Sequence, residues 1–213
     1  MSAIVGVFAP ARSGGAPSRD VGERILRAMR KRGADHVDVW RDEASGALVG
    51  VSRYAWEREI SPSGGVLVLA EDDVVVAADA AIYYRDDLRR SLESEGVVIT
   101  GDSATHMILA SYRAWGEGCA AHLEGDFAFI VWDRRTRRIS AARDFGGKRT
   151  LFFAEVGGTL VIASSIGGVL AFPGCPHDID LSEVAAAVFG YMGHATSFRR
   201  RWRPPRWIAP LRR

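Results

Sequence analysis

Cysteine is nearly missing: Cys119 and Cys175 are the only two in 213 residues. They give neither a metal-binding spacing nor a disulfide framework, which suits a protein of the reducing cytoplasm. The five histidines are scattered, and none makes a ligand pair with another. Each reads as a surface or core histidine, and no metal site is expected. No apolar run approaches the ~20 residues that span a membrane. The N-terminus lacks the basic start and long apolar core of a secretory signal. A membrane partner is therefore not expected.

What is there is ordinary globular material. At 47% hydrophobic and 25% charged, 213 residues suffice for one domain with a sizeable core. The formal charge of +2 hides an asymmetry. Arg199 to Arg213 holds seven arginines and no acid, and no acid at all follows Glu183. Taking those seven away leaves the rest of the chain at −5, a mildly acidic body with a basic tail. Arginines interleaved with Trp202 and Trp207 could hold phosphates and stack bases. An exposed tail explains them more simply, and nucleic acid is not expected as a partner. The domain is expected over residues 1–198 and the tail over 199–213. With so little aliphatic surface, the tail cannot offset its ordering entropy. It is expected to be disordered, a truncated or frame-shifted end.

Ala3 to Ala9 is a short apolar strand. Ser18 can cap a helix over Asp20 to Lys31, with Val21, Ile25, Leu26 and Met29 on one face and basic residues at its end. Gly33 stops it, within Arg32-Gly33-Ala34-Asp35. Val37 to Trp40 and Ala47 to Ser52 follow, about a turn at Ser45-Gly46. Val66 to Glu71 and Val74 to Ala80 read as a hairpin joined at Asp72-Asp73. Asp86 to Glu95 is a short helix. Ser103 to Trp115 is a longer one, capped by Ser103 and ended by Gly116, with Met107, Ile108, Tyr112 and Trp115 on its apolar face. Ser182 to Tyr191 is a further helix. This order predicts α+β layering. Two runs, Ser13-Gly14-Gly15 and Ser63-Gly64-Gly65, are not followed by a helix whose amides would hold a phosphate. They read as turns, and no ATP site is expected in this chain.

The most informative stretch runs from Leu123 to Pro173. Asp126 to Trp132, Ile139 to Arg143, Leu151 to Val156 and Thr159 to Ser164 read as four strands of an antiparallel meander. A charged turn, the glycine-rich loop Phe145-Gly146-Gly147-Lys148 and a tight Gly157-Gly158 turn separate them. The near-continuous apolar runs predict strands covered on both faces. Within this stretch stand Leu123-x-Gly125-x-Phe127-Ala128-Phe129-x-x-Trp132-Asp133, Ala142-Arg143-Asp144, Leu151-Phe152-Phe153 and Ala163-Ser164-x-Ile166. In order and spacing the chain resembles the class II glutamine amidotransferase domain of asparagine synthetase and its relatives, the β-lactam synthetases and lasso peptide cyclases. The resemblance implies a four-layer αββα sandwich of the N-terminal-nucleophile hydrolase type.

The resemblance also implies a site, and this chain departs from it. Met1 to Phe8 is similar to the family's opening, except that Ser2 stands in the place of the nucleophilic cysteine. In the family, loss of the initiator methionine frees an α-amine that acts as base. A serine hydroxyl is harder to deprotonate than a thiol. Arg53 fits the place of the arginine that grips the substrate carboxylate in two bonds. Where the family reads Asn-Gly-Glu-Ile-Tyr, this chain reads Asp79-Ala80-Ala81-Ile82-Tyr83. Asp79 and Ala80 thus replace the asparagine and glycine of the oxyanion hole, and Ala81 the glutamate beside the substrate amine. A carboxylate has no donor for an oxyanion and repels it, a loss of about 3 kcal/mol in the transition state. Ala104 stands where the ammonium-binding aspartate is implied, with Asp102 out of place.

Loss at the site with the framework retained implies a domain kept for shape. The expectation is a degenerate glutaminase-like domain of an asparagine-synthetase-related ligase, inactive alone although the family's activity is glutamine-hydrolysing asparagine synthesis. ATP and magnesium would belong to a synthetase domain or chain missing from this sequence. That domain would act on an amino acid or peptide. The alternative is an active N-terminal-serine amidohydrolase.

Overall fold

A computed structural model describes residues 1–10, 16–59 and 67–177. Along the chain run β1 (Ala3–Phe8), β2 (His36–Asp42), β3 (Ala47–Arg53), β4 (Val68–Glu71) and β5 (Val74–Ile82). The second half adds β6 (Gly125–Asp133), β7 (Arg138–Arg143), β8 (Phe152–Val156) and β9 (Thr159–Ala163). The helices are α1 (Arg19–Ala28), α2 (Ala55–Glu59), α3 (Arg85–Ser94), α4 (Ala104–Trp115) and α5 (Ile166–Leu170).

The strands form two antiparallel sheets, in the orders β2-β3-β1-β9-β8 and β4-β5-β6-β7. Strand alternation sorts the side chains into three cores. On β1, Ala3, Val5 and Val7 meet Ile25, Leu26 and Met29 of α1 and its end. Ile4 and Phe8 point the other way, into an apolar layer shared with Val49, Val51, Val75 and Ile130. On β5, Val76 and Ala78 face α3 and α4 through Leu88, Leu92, Met107 and Ile108. Helices, sheet, sheet, helices: this is the expected αββα sandwich, and β1, β5, β6 and β8 lie in facing antiparallel sheets as anticipated.

Several expectations need correction. The stretch 123–173 is not one meander. β6 and β7 belong to one sheet, β8 and β9 to the other. The intervening loop closes on Asp144, whose carboxylate accepts the backbone N–H of Lys148 (3.0 Å) and of Arg149 (2.9 Å) and so breaks the ladder. β9 then finds its partner in β1. β8 is an edge strand, with Phe152 and Phe153 partly exposed, and is not covered on both faces. α1 ends at Ala28, and Arg30–Arg32 tightens into a 3₁₀ turn. Ser18 is its N-cap residue without a side-chain cap bond. Ser103 caps α4 as expected, its hydroxyl accepting from the His106 N–H. The two Ser-Gly-Gly turns, the helix at Ser182–Tyr191, the start of the hairpin at Val66 and the 199–213 tail lie outside the described residues. Among the described residues no helix is long and apolar enough to cross a membrane.

One glycine shows how closely β5 and β6 approach. Gly125 has φ +141°, and a Cβ there would lie 2.2 Å from the Ala81 carbonyl oxygen. Gly96 also has positive φ, but a Cβ would meet nothing. Gly96→Ala is expected to cost about 1–2 kcal/mol from backbone strain alone. Gly125→Ala must in addition push two strands apart and should cost clearly more. Urea midpoints of the two variants check this; an equal loss would contradict the close approach.

Candidate active site

The register of the sheet builds the site. Ala3 lies opposite Ser52 in the β1–β3 ladder. One step outward, the same register sets Ser2 opposite Arg53. Ser2 shares the parity of Ile4 and Phe8, Arg53 that of Val49 and Val51, and Asp79 that of Val75 and Ala77. All three therefore face the layer between the sheets, at the end where the apolar filling stops.

There the polar atoms satisfy one another. Arg53 Nε donates to Ser2 Oγ at 3.0 Å, and Arg53 Nη2 to the Ala78 carbonyl of the opposite sheet at 3.0 Å. Ser2 Oγ donates to Glu57 Oε2 at 3.0 Å. The other Glu57 oxygen pairs with the Met1 ammonium. The Ser2 backbone N–H reaches the Asp79 carboxylate. Arg149 closes the far side, its Nη1 3.3 Å from Asp79 Oδ1. Ser2 and Asp79 are each 4% exposed. The site thus gathers three positive groups (Met1 ammonium, Arg53, Arg149) and two carboxylates (Glu57, Asp79).

Burial governs the charges. It pushes the Asp79 carboxyl above its ordinary range, against the Ser2 N–H and the Arg149 guanidinium, which favour the carboxylate. It also lowers Arg53, against the pull of Glu57 and Asp79. Asp144 behaves oppositely. Burial raises it, but the N–H groups of Arg149, Lys148, Phe127 and Gly147 together outweigh that and hold it low.

Residues 1–201 match the family described as glutamine amidotransferase domain. The chain belongs to that family. It is 32% identical over 169 residues to asparagine synthetase [glutamine-hydrolyzing] 3 of Bacillus subtilis, covering 76% of this chain and 27% of that one. It is 36% identical over 169 residues to a putative asparagine synthetase of Mycobacterium bovis, covering 74% and 26%. The chain thus spans about a quarter of the length of these relatives. Its fold is similar to a glutamine phosphoribosylpyrophosphate amidotransferase from B. subtilis, with TM-score 0.60 at 16% identity over 78% of this chain and 42% of that one.

Within this amidotransferase domain, the structure brings Ser2, Arg53 and Asp79 together. It does not add the other residues singled out from the sequence. Ala80 and Ala104 both pack against the core beneath α3 and α4, on the far face of the β5 sheet. Ala81 lies opposite Asp126, near the end of β5. Asp102 is held at the surface by Arg89, at 2.9 Å. Two residues at the site escaped the sequence reading. Glu57 sits on α2, a single turn too short to carry a pattern. Arg149 was overshadowed by Lys148, which points outward to Asp126 at 3.2 Å instead. Among the described residues, no three His, Cys, Asp or Glu side chains gather as a metal would need.

The two aspartates should respond to pH with opposite sign. The folded pKa of Asp79 lies above its unfolded value. Its stabilising contribution is full below the ordinary carboxylate range and is lost as pH rises through the raised pKa. In Asp79→Asn the amide stands in for the protonated acid. That variant is expected to be more stable than the parent at neutral pH, with the gain vanishing in acid. The folded pKa of Asp144 is depressed, so its contribution is present above the ordinary range and is lost as pH falls through the folded pKa. Asp144→Asn is expected to lose about 1–3 kcal/mol at neutral pH, and less as the solution is acidified. Denaturant midpoints across pH decide it; shifts of the same sign in both variants would contradict the assignment.

Proposed function

We propose that this chain is the glutaminase-like part of an asparagine-synthetase-related, ATP-dependent ligase, and that it supports the synthetase domain as a structural partner without hydrolysing glutamine. The observation that carries the reading is Asp79, buried beside the Ser2 backbone and paired with Arg149. Attack on an amide builds negative charge on the carbonyl oxygen. A site for that chemistry aims donors at the oxygen, whereas Asp79 brings charge of the same sign.

The base is compromised as well. While Met1 is present, the Ser2 nitrogen is an amide. Once Met1 is removed, the same nitrogen becomes an amine beside Asp79, and a neighbouring carboxylate favours the ammonium form. An ammonium has no lone pair to take a proton from a nucleophile. Ala104 packs against the core on the far face of the β5 sheet and offers no anchor for a substrate ammonium, so glutamine would be poorly oriented. In this reading the amine that enters the product comes from the ligase substrate, an amino acid or peptide. ATP and magnesium act in the synthetase domain, and the protein is cytoplasmic.

A second reading has one observation in its favour. The Ser2 hydroxyl hydrogen is directed at Glu57 Oε2, so a carboxylate is within reach to act as base for an N-terminal-serine amidohydrolase.

Ammonia and glutamate release by purified protein, with Met1 shown absent by mass spectrometry, separates the two. No release above buffer is expected. Turnover that disappears in both Ser2→Ala and Glu57→Gln would establish the amidohydrolase instead. The combined variant Ser2→Cys, Asp79→Asn is expected to gain weak glutaminase activity, because it restores a nucleophile and a donor on an intact scaffold.

A further inference from the structure

A second cluster of charge lies away from Ser2, where α1 runs into the Arg30–Arg32 turn. A cavity of about 500 Å³ opens there, lined by Arg27, Met29, Arg30, Lys31, Arg32 and Ser165. Four of these side chains are cations, and no carboxylate lines the cavity. Among the described residues, none of the four makes an ion pair. Arg32 Nη2 donates to Thr150 Oγ1 at 2.7 Å, but Arg32 Nη1 is buried with no hydrogen-bond partner. The Ser165 hydroxyl accepts the Gly168 N–H at 3.1 Å and has its own proton left to donate.

Cations at the end of a helix complement its dipole, and this accounts for Arg27 in the last turn of α1. It does not account for three further cations in succession, which repel one another, nor for a buried guanidinium nitrogen without an acceptor. The complement to this lining is a group that only accepts hydrogen bonds and carries more than one negative charge. A carboxylate brings one charge and two oxygens. A phosphoryl group brings up to two charges and three oxygens, matched to the Arg32 fork, a neighbouring cation and the Ser165 hydroxyl. The cavity exceeds a bare phosphate and falls within the range of sites for small organic ligands.

We propose that this cavity binds the phosphoryl group of a phosphorylated small molecule. The site is separate from Ser2, and the proposal does not rest on the reading given for Ser2.

Isothermal titration of the whole chain with inorganic phosphate and inorganic pyrophosphate, at a constant ionic strength of about 0.15 M, tests it. Saturable binding is expected, tighter for pyrophosphate. Arg30 and Lys31 are exposed, so Arg30→Gln and Lys31→Gln should leave the fold intact. Each should weaken binding about tenfold, the loss of one charge-assisted contact. Arg32→Lys keeps the charge but removes the fork, and should weaken binding too. Arg134→Gln, a charge change in the β6–β7 turn, should leave it unchanged. The proposal is overturned by the absence of saturable heat, by equal affinity in Arg30→Gln and Lys31→Gln, or by acetate binding as tightly as pyrophosphate.

Discussion

The pairing of β1 between β3 and β9 is the constraint on which the rest depends. β1 carries no charged or strongly polar side chain and is buried throughout, so it is stable only with a strand on each edge and a core on each face. Ser164 extends its ladder beyond β9. The Ile4 N–H donates to Ser164 Oγ at 2.9 Å, and the Ser164 N–H to the Ile4 carbonyl at 3.1 Å. With Ile4 held on that side and Ala3 paired to Ser52 on the other, the next residue has little freedom. Ser2 must emerge at the end of the inter-sheet layer, facing Arg53.

Arg53 is fixed from behind by the turn that follows α1. A Cβ on Gly33 would lie 2.6 Å from Arg53 Cα, so only glycine lets the turn approach this closely. Ser52 Oγ donates to the Gly33 carbonyl, the Asp35 N–H donates to the Arg53 carbonyl, and Asp35 accepts the Ala55 N–H. The last of these bonds starts α2, which brings Glu57 to the Met1 ammonium and the Ser2 hydroxyl. The turn at Gly33 on one side of the sheet therefore places two of the five charged groups, Arg53 and Glu57, on the other side.

The fold was legible wherever burial leaves a period in the sequence. Both-face strands such as β1, β6 and β9 read as apolar runs, and α4 is bracketed by Ser103 and Gly116. Sheet membership was not legible, because the choice between continuing a meander and crossing to the other sheet is made at Asp144. One carboxylate accepting two backbone N–H groups leaves no periodic trace. At the site, Ser2, Arg53 and Asp79 could be found because the family motifs mark them, and strand parity is what brings them together. Glu57 and Arg149 could not. Each comes from a short segment whose aim is set by tertiary contacts, and in Lys148-Arg149 the sequence offers two adjacent cations with no means of telling which turns inward.

The persistence of a family-like Arg53 beside so altered a neighbourhood has a structural cause that needs no substrate. Its guanidinium joins Ser2 at the head of one sheet to the Ala78 carbonyl in the other, across a layer that is otherwise apolar. A buried arginine in that position must have acceptors, and a truncated one would leave the Ala78 carbonyl and the Glu57 and Asp79 carboxylates short of a donor or counter-charge. Once the site has closed on itself in this way, the arginine is retained by the balance of buried charge whether or not glutamine ever binds. An intact arginine here is therefore weak support for glutaminase activity. On the function proposed above, the atoms an oxyanion would meet belong to Asp79.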